Sequence, residues 1–113
     1  MSLPDANIPA KTTKTLNLLT ICRKAGKMVL GFDTVKDSVY GGRACCICTV
    51  SDLSPKTIKE AAYISQREDV PLLKLELTME DIWRALGQRS GVLGICDEGF
   101  AKRLTQIQEE DSP

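Results

Sequence analysis

The sequence predicts a single three-layer α/β/α sandwich built on a four-stranded mixed sheet, and three observations lead there. Four short apolar runs alternate with segments whose apolar residues recur at helical spacing. One of those runs, Ala44 to Val50, is apolar at almost every position, the pattern of a strand covered on both faces. Helix-start signals (Ser54-Pro55, Thr78 with Asp81, and Asp97) stand ahead of the helical segments. Strands separated by helices need crossover connections, and a strand apolar on both faces needs a helix layer on each side.

Taken in order, the first helix is expected from about Thr13, with Leu18, Cys22 and Ala25 on one face and Gly26 at its C-terminal end. Met28-Val29-Leu30 is the first strand. Phe32, Val35 and Val39 mark a second helix closed by Gly41-Gly42, and Ala44 to Val50 is the second strand, expected in the sheet interior. Pro55 at the first helical position introduces Ile58, Ala61, Ala62 and Ser65, and Pro71 opens a third strand, Leu72 to Leu75. Thr78 and Asp81 have capping-box spacing ahead of Ile82, Ala85 and Leu86; Val92 to Cys96 is the fourth strand. Asp97 caps a last helix with Phe100, Leu104 and Ile107 inward. The domain is read as residues 12–108, with residues 1–11 and 109–113 as flexible termini.

Composition narrows the function. At 113 residues, 42% hydrophobic and 27% charged, the chain has the size and balance of one globular domain, and no apolar stretch has the length of a membrane span. The first residues lack the basic, apolar, small-residue order of a secretory signal. The five cysteines are odd in number, three of them crowd one strand, and a reduced set points to the cytoplasm. Fifteen basic residues balance fifteen acidic ones, but Lys11, Lys14, Arg23, Lys24 and Lys27 form a stretch without an acid.

There is no histidine, which removes Ser-His-Asp and Cys-His nucleophile activation and the commonest transition-metal ligand together. Cys45-Cys46-x-Cys48 has no second cysteine pair at zinc-site spacing, so core packing is the expected role and no metal is assigned. Asp97 and Glu98 are read as a helix cap and a dipole partner rather than as catalytic acids. No nucleotide-binding glycine motif is present, so no cofactor is assigned, and Trp83 beside Ile82 and Leu86 reads as packing. The expectation is a binding protein, not an enzyme. The remaining constellation is Lys27 to Thr34, where Gly31 opens a helix directly after a short strand, beside the basic helix. Free amides at such a start can hold a phosphate or bring side chains to base edges, and the same glycine also serves plain turn geometry.

Leu16 to Gly31, Gly42-Arg43-Ala44, Val50 to Pro55, and Gly87 through Asp97-Glu98-Gly99 resemble the kink-turn-binding ribosomal-protein family, typified by the archaeal L-seven-Ae type and the bacterial YlxQ-like proteins. The resemblance covers nearly all of residues 14 to 108 and is nearest the YlxQ type in Asp97-Glu98-Gly99-Phe100-Ala101-Lys102. It implies an α/β/α sandwich and a non-catalytic role in recognising kinked RNA in ribosomal or regulatory structures. The family's best RNA binders read Gly, a small residue, Asn and Glu at the turn, then Lys one helical turn later. Here Gly31 matches, while Phe32, Asp33, Thr34 and Asp37 depart. The family's second contact is a loop that reads Gln88-Arg89-Ser90-Gly91 here.

The expected RNA-binding residues are therefore Lys27, Gly31, Phe32, Asp33, Thr34, Asp37, Arg89 and Ser90. The expected partner is structured RNA of the kink-turn type, in a ribosomal setting that brings ribosomal proteins as further partners, with no membrane and no small-molecule substrate. The second reading is a ribosome-associated or regulatory protein-interaction module of the same fold that has lost kink-turn binding.

Overall fold

The structure, a computed structural model, describes residues 9–110. The elements run α1 (Ala10–Lys24), β1 (Met28–Leu30), α2 (Phe32–Tyr40), β2 (Cys46–Thr49), α3 (Pro55–Glu68), β3 (Leu72–Lys74), α4 (Met79–Leu86), β4 (Val92–Ile95) and α5 (Glu98–Glu109). The strands lie in the order β1-β4-β2-β3. β2 is parallel to β3 and antiparallel to β4, and β1 is antiparallel to β4, so the sheet is mixed as expected. Of the termini expected to be flexible, 1–11 and 109–113, Ala10, Lys11 and Glu109 lie in α1 and α5, while residues 1–8 and 111–113 lie outside the described residues.

The apolar run 44–50 is interior to the sheet, with every residue of both β2 and β4 buried. Cys46 and Cys48 of β2 and Leu93 and Ile95 of β4 face Leu19, Cys22, Ile82 and Leu104, the layer of α1, α4 and α5. Ile47 and Val92 face Val35, Val39, Ala61 and Ile64, the layer of α2 and α3. The period-two alternation of the strands thus supplies two separate cores.

Helix ends follow the capping chemistry closely. Ser54 Oγ accepts from Thr57 N, Thr78 and Asp81 form a reciprocal capping box at 3.1 and 2.9 Å, and Asp97 Oδ2 accepts from Phe100 N at 2.9 Å. Asp97 is thereby a structural cap. The helix faces need correction at two places. In α1 the buried stripe is Thr15, Leu19 and Cys22, not Leu18, Cys22 and Ala25, and the helix starts at Ala10 rather than about Thr13. The reason is tertiary: Thr15 Oγ1 donates to Lys11 O and accepts from Gln108 Nε2 at 2.8 Å, clamping α1 to α5 through a polar pair that hydrophobic periodicity does not see. In α3 the inward pair is Ala61 and Ile64, and Ala62 is exposed.

All five cysteines are free. Cys22, Cys46 and Cys48, each no more than 1% exposed, share one core because residues two apart on a strand face the same way. Burial, then the Asp97 carboxylate and Cys96, pushes the Cys22 thiol up to about 11. Cys48 is raised well above its ordinary value of 9.0, first by its thiol hydrogen bond with Cys46 and then by burial. Both thiols are therefore neutral, apolar core groups at neutral pH.

Two outcomes follow from this packing. Gly94 of β4 leaves room for its cross-strand partner on β1 and for α2 above it: a Cβ there would stand 2.9 Å from Val29 Cγ2 and 3.4 Å from Val35 Cγ1. Gly94→Ala is expected to cost about 1–3 kcal/mol in denaturant unfolding, with part of the loss returned by Val29→Ala in the double variant. An unchanged midpoint would disprove the close approach. The second outcome concerns alkaline pH. The folded state retains protons on Cys22 that the unfolded chain releases near the thiol's ordinary value of 9.0. Stability from this group is then full below about pH 9 and falls as pH rises toward 11, by up to about 1.4 kcal/mol per pH unit. Cys22→Ala is expected to flatten that decline in urea titrations; an equally steep decline would show that Cys22 plays no part in it.

Candidate nucleic-acid interface

β1 is only three residues long and pairs with β4 up to Leu30↔Leu93. The next residue has to turn the chain into α2 while staying against β4, and Gly31 does so with φ 99° and ψ 142°, a backbone region nearly closed to residues with a Cβ. An added Cβ would meet nothing nearer than Thr34 Oγ1 at 4.0 Å, so the demand is for the dihedral and not for space.

Gly31 N donates to the Val92 carbonyl at 2.9 Å, and Ser90 Oγ donates to the same oxygen at 2.9 Å. Val92 N in turn donates to Ser90 Oγ at 3.4 Å. One carbonyl at the start of β4 thus joins the turn after β1 to the loop after α4, bringing Gly31 and Ser90 onto one end of the sheet. Ser90 itself is 8% exposed with its hydroxyl spent on Val92, so it shapes the loop from within while its neighbour Arg89 is exposed.

On α2, Val35, Ser38 and Val39 face the sheet, and Asp33, Thr34 and Asp37 are exposed. Asp33 and Asp37 are four residues apart and so lie one above the other on the helix surface. Phe32 is half-buried and turned toward α3, where it lines a groove with Lys36 and Tyr40. No side chain caps the helix start.

Lys27 is not brought to this end. It precedes β1, its carbonyl accepts from Cys96 N at 2.7 Å, and the four residue steps to Gly31 span about 13 Å. The basic stretch around α1 is also partly committed. Lys14 pairs with Glu110 at 3.0 Å, and Lys11 donates to Gln108 O at 3.2 Å with Glu76 at 3.9 Å. Arg23 donates to the Leu86 carbonyl and to Gln88 Oε1, the latter at 3.3 Å. Arg23 is thus a brace between α1 and the loop that carries Arg89, a role with no signal in residue spacing.

Trp83, read as packing, is 51% exposed on α4; Ile82 beside it takes the buried position at 0%. Eight residues of helix have room for few inward positions, and Arg84 next to it pairs with Glu80 at 2.7 Å on the solvent side. Among the described residues no group of three His, Cys, Asp or Glu side chains has metal-binding geometry, and no helix is long and apolar enough to cross a membrane.

No family model matches the chain. It is 28% identical over 96 residues to the RNA-binding protein YlxQ of Enterococcus faecium, covering 85% of this chain and 92% of that protein. It is 29% identical over 91 residues to the RNA-binding protein YlxQ of Bacillus subtilis strain 168, covering 80% and 90%. A protein of unknown function from Bacillus halodurans superposes with a TM-score of 0.79 at 24% identity, covering 86% of this chain and 98% of that one. The Giardia lamblia 15.5 kD RNA-binding protein superposes with a TM-score of 0.70 at 15% identity, covering 88% and 87%. These two structures share the fold.

The turn geometry makes a direct expectation. Gly31→Ala should destabilise the protein by about 1–3 kcal/mol with the amide signals of Gly31 and Val35 displaced, because φ 99° is unfavourable for alanine. A loss below about 0.5 kcal/mol would mean that the turn tolerates another conformation.

Proposed function

We propose, on the premise that this chain is a relative of the bacterial YlxQ proteins, that it is a non-catalytic RNA-binding protein of the cytoplasm that recognises kinked, kink-turn-like RNA in a ribosomal setting. The observation that carries the reading is the shared Val92 carbonyl, which sets the Gly31 turn and the Arg89–Ser90 loop side by side. Two short backbone segments meeting at one end of a sheet, one with uncapped helix amides and one with an exposed arginine, suit a bent backbone and an extruded base. Phe32, Asp33, Thr34 and Asp37 continue that surface along α2. Lys27, about 13 Å away, would meet RNA only as a distal phosphate contact.

The absence of histidine supports the non-catalytic part. The binding domain is taken as residues 12–108, and ribosomal proteins are the natural neighbours of such an RNA. The second reading, a protein-interaction module that has lost kink-turn binding, draws on one specific observation: Asp33 and Asp37 are both exposed where they would oppose a polyanion.

A titration of the protein with a kink-turn RNA and its unkinked mutant tests this. The kinked form is expected to bind at least about tenfold more tightly. Arg89→Ala should weaken binding and lower the log-log salt slope by about 1, and Asp37→Lys should tighten it, most at low salt, with the slope steeper by about 0.7 to 0.9. If the parent does not bind but the Asp33→Asn, Thr34→Glu, Asp37→Lys triple variant does, the second reading is correct. If neither binds, the RNA surface lies elsewhere.

A further inference from the structure

The α2–α3 layer leaves an aromatic and cationic seam on its outer side. Phe32, Lys36 and Tyr40 recur every four residues along α2, and Lys59, Tyr63 and Arg67 do so along α3. Each helix turns its apolar residues to the sheet, Val35 and Val39 from one and Ala61 and Ile64 from the other, so Phe32, Lys36 and Tyr40 meet Lys59 and Tyr63 across the groove between the helices, with Arg67 at its edge beside Tyr63. The groove has a volume of about 290 Å³ and a mostly apolar floor, with Ile64 at its base. Tyr40 is 46% and Tyr63 59% exposed, two of the four large hydrophobic side chains left open among the described residues. Arg67 Nη1 donates to Tyr63 Oη at 3.1 Å, holding that ring in place.

The charge of the seam differs from that of the neighbouring stripe. Glu60 is the single acid among the residues lining the groove, and neither Lys36 nor Lys59 is in an ion pair among the described residues. Arg67 has Glu68 at 3.6 Å. Asp33 and Asp37, by contrast, occupy the adjacent side of α2. A polyanion leaving the Gly31 turn along α2 would be repelled by the Asp33–Asp37 side and attracted by the Phe32–Lys36–Tyr40 side. Phe32, the first residue of the helix, belongs both to the turn and to the groove, so the two surfaces are continuous.

We infer that the α2–α3 groove is a second nucleic-acid subsite that takes unpaired nucleotides flanking the RNA held at the turn. Bases stack on Tyr40 and Tyr63, and phosphates lie against Lys36, Lys59 and Arg67. Flat exposed rings alternating with cations are the elements of sequence-tolerant single-strand binding, since every base has a π-face and every linkage a charge. The inference rests on the reading of the chain as an RNA binder but assigns a different surface and a different class of RNA segment.

The test compares three RNAs on the intact protein: a kink-turn RNA with flush ends, the same RNA with a single-stranded extension of about six nucleotides on either end, and the isolated single strand. The extension is expected to tighten binding about tenfold. Tyr40→Ala and Tyr63→Ala should each remove about fivefold or more of that gain while leaving the flush-ended RNA unaffected. Lys36→Glu should lower the salt slope for the extended RNA alone. All three positions are exposed, so circular dichroism is expected to match the parent.

The flush-ended RNA reports on the turn and the isolated strand on the groove, so the two readings can fail separately. Weak single-strand binding that is lost in the tyrosine variants, without any kink-turn binding, would keep the groove and remove the turn. No gain from the extension together with no single-strand binding would overturn the subsite. Equal losses for flush and extended RNA in the tyrosine variants would overturn it as well. An acidic peptide, added as a fourth ligand, that binds the groove when none of the three RNAs does would overturn the subsite and assign the groove to a protein partner.

Discussion

Everything in this molecule hangs on a pair of strands, β2 and β4, that are buried along their whole length on both faces. Neither face can be left to solvent without exposing several apolar side chains, each worth about 1.5–3 kcal/mol when buried. Both faces therefore demand helices, and the five helices divide between them as α1, α4 and α5 on one and α2 and α3 on the other. The antiparallel pairing of β4 between β1 and β2 then decides which chain ends meet. Because Leu30 opposes Leu93, the turn at Gly31 lands beside Val92 and the loop that precedes it.

That juxtaposition has a low energetic requirement and a strict geometric one. The Val92 carbonyl has two lone pairs, and the Gly31 amide and the Ser90 hydroxyl use both. Neither loop needs a core of its own, because each is an extension of a strand already held in register. Such an arrangement lets exposed residues on the two loops and on the adjoining face of α2 vary without threatening the fold. The chain uses that freedom: Asp33, Thr34 and Asp37 depart from the residues that the best RNA binders of the resembled family carry, on an unchanged glycine turn.

The charge distribution follows the same logic. A net charge of zero hides a division by helix face. On α2 the carboxylates and the Phe32–Lys36–Tyr40 stripe occupy adjacent sides of one helix, about 100° apart. On α1 several cations that look like a basic surface in the sequence are consumed by structure: Lys11, Lys14 and Arg23 each close a contact to a distant segment. Counting charges along the chain overestimates the basic end near residue 20 and misses the cations of α2 and α3, which are separated by more than 20 positions in sequence and face one groove in space.

The class of fold, the number and order of elements, the interior place of the 44–50 run and the helix caps are all legible in the residues themselves. These depend on local rules: the period of apolar residues, the dihedral freedom of glycine, and side-chain oxygens placed to accept from the first amides of a helix. The sequence also singled out Gly31 and Arg89–Ser90 through resemblance, though not the hydrogen bonds that join them. Packing between distant segments places Ser90 inward and leaves Trp83 half-exposed while Ile82 takes the core position. It likewise decided that α1 buries Thr15 instead of Leu18, because Gln108, more than 90 residues away, supplies the partner that makes a hydroxyl cheap to bury. The i, i+4, i+8 stripes of Phe32–Lys36–Tyr40 and Lys59–Tyr63–Arg67 are visible in the sequence as spacings, but a stripe becomes a groove only when two helices pack side by side. Helix-to-helix neighbourhood is a consequence of sheet order, and strand pairing between distant segments leaves no mark in local periodicity.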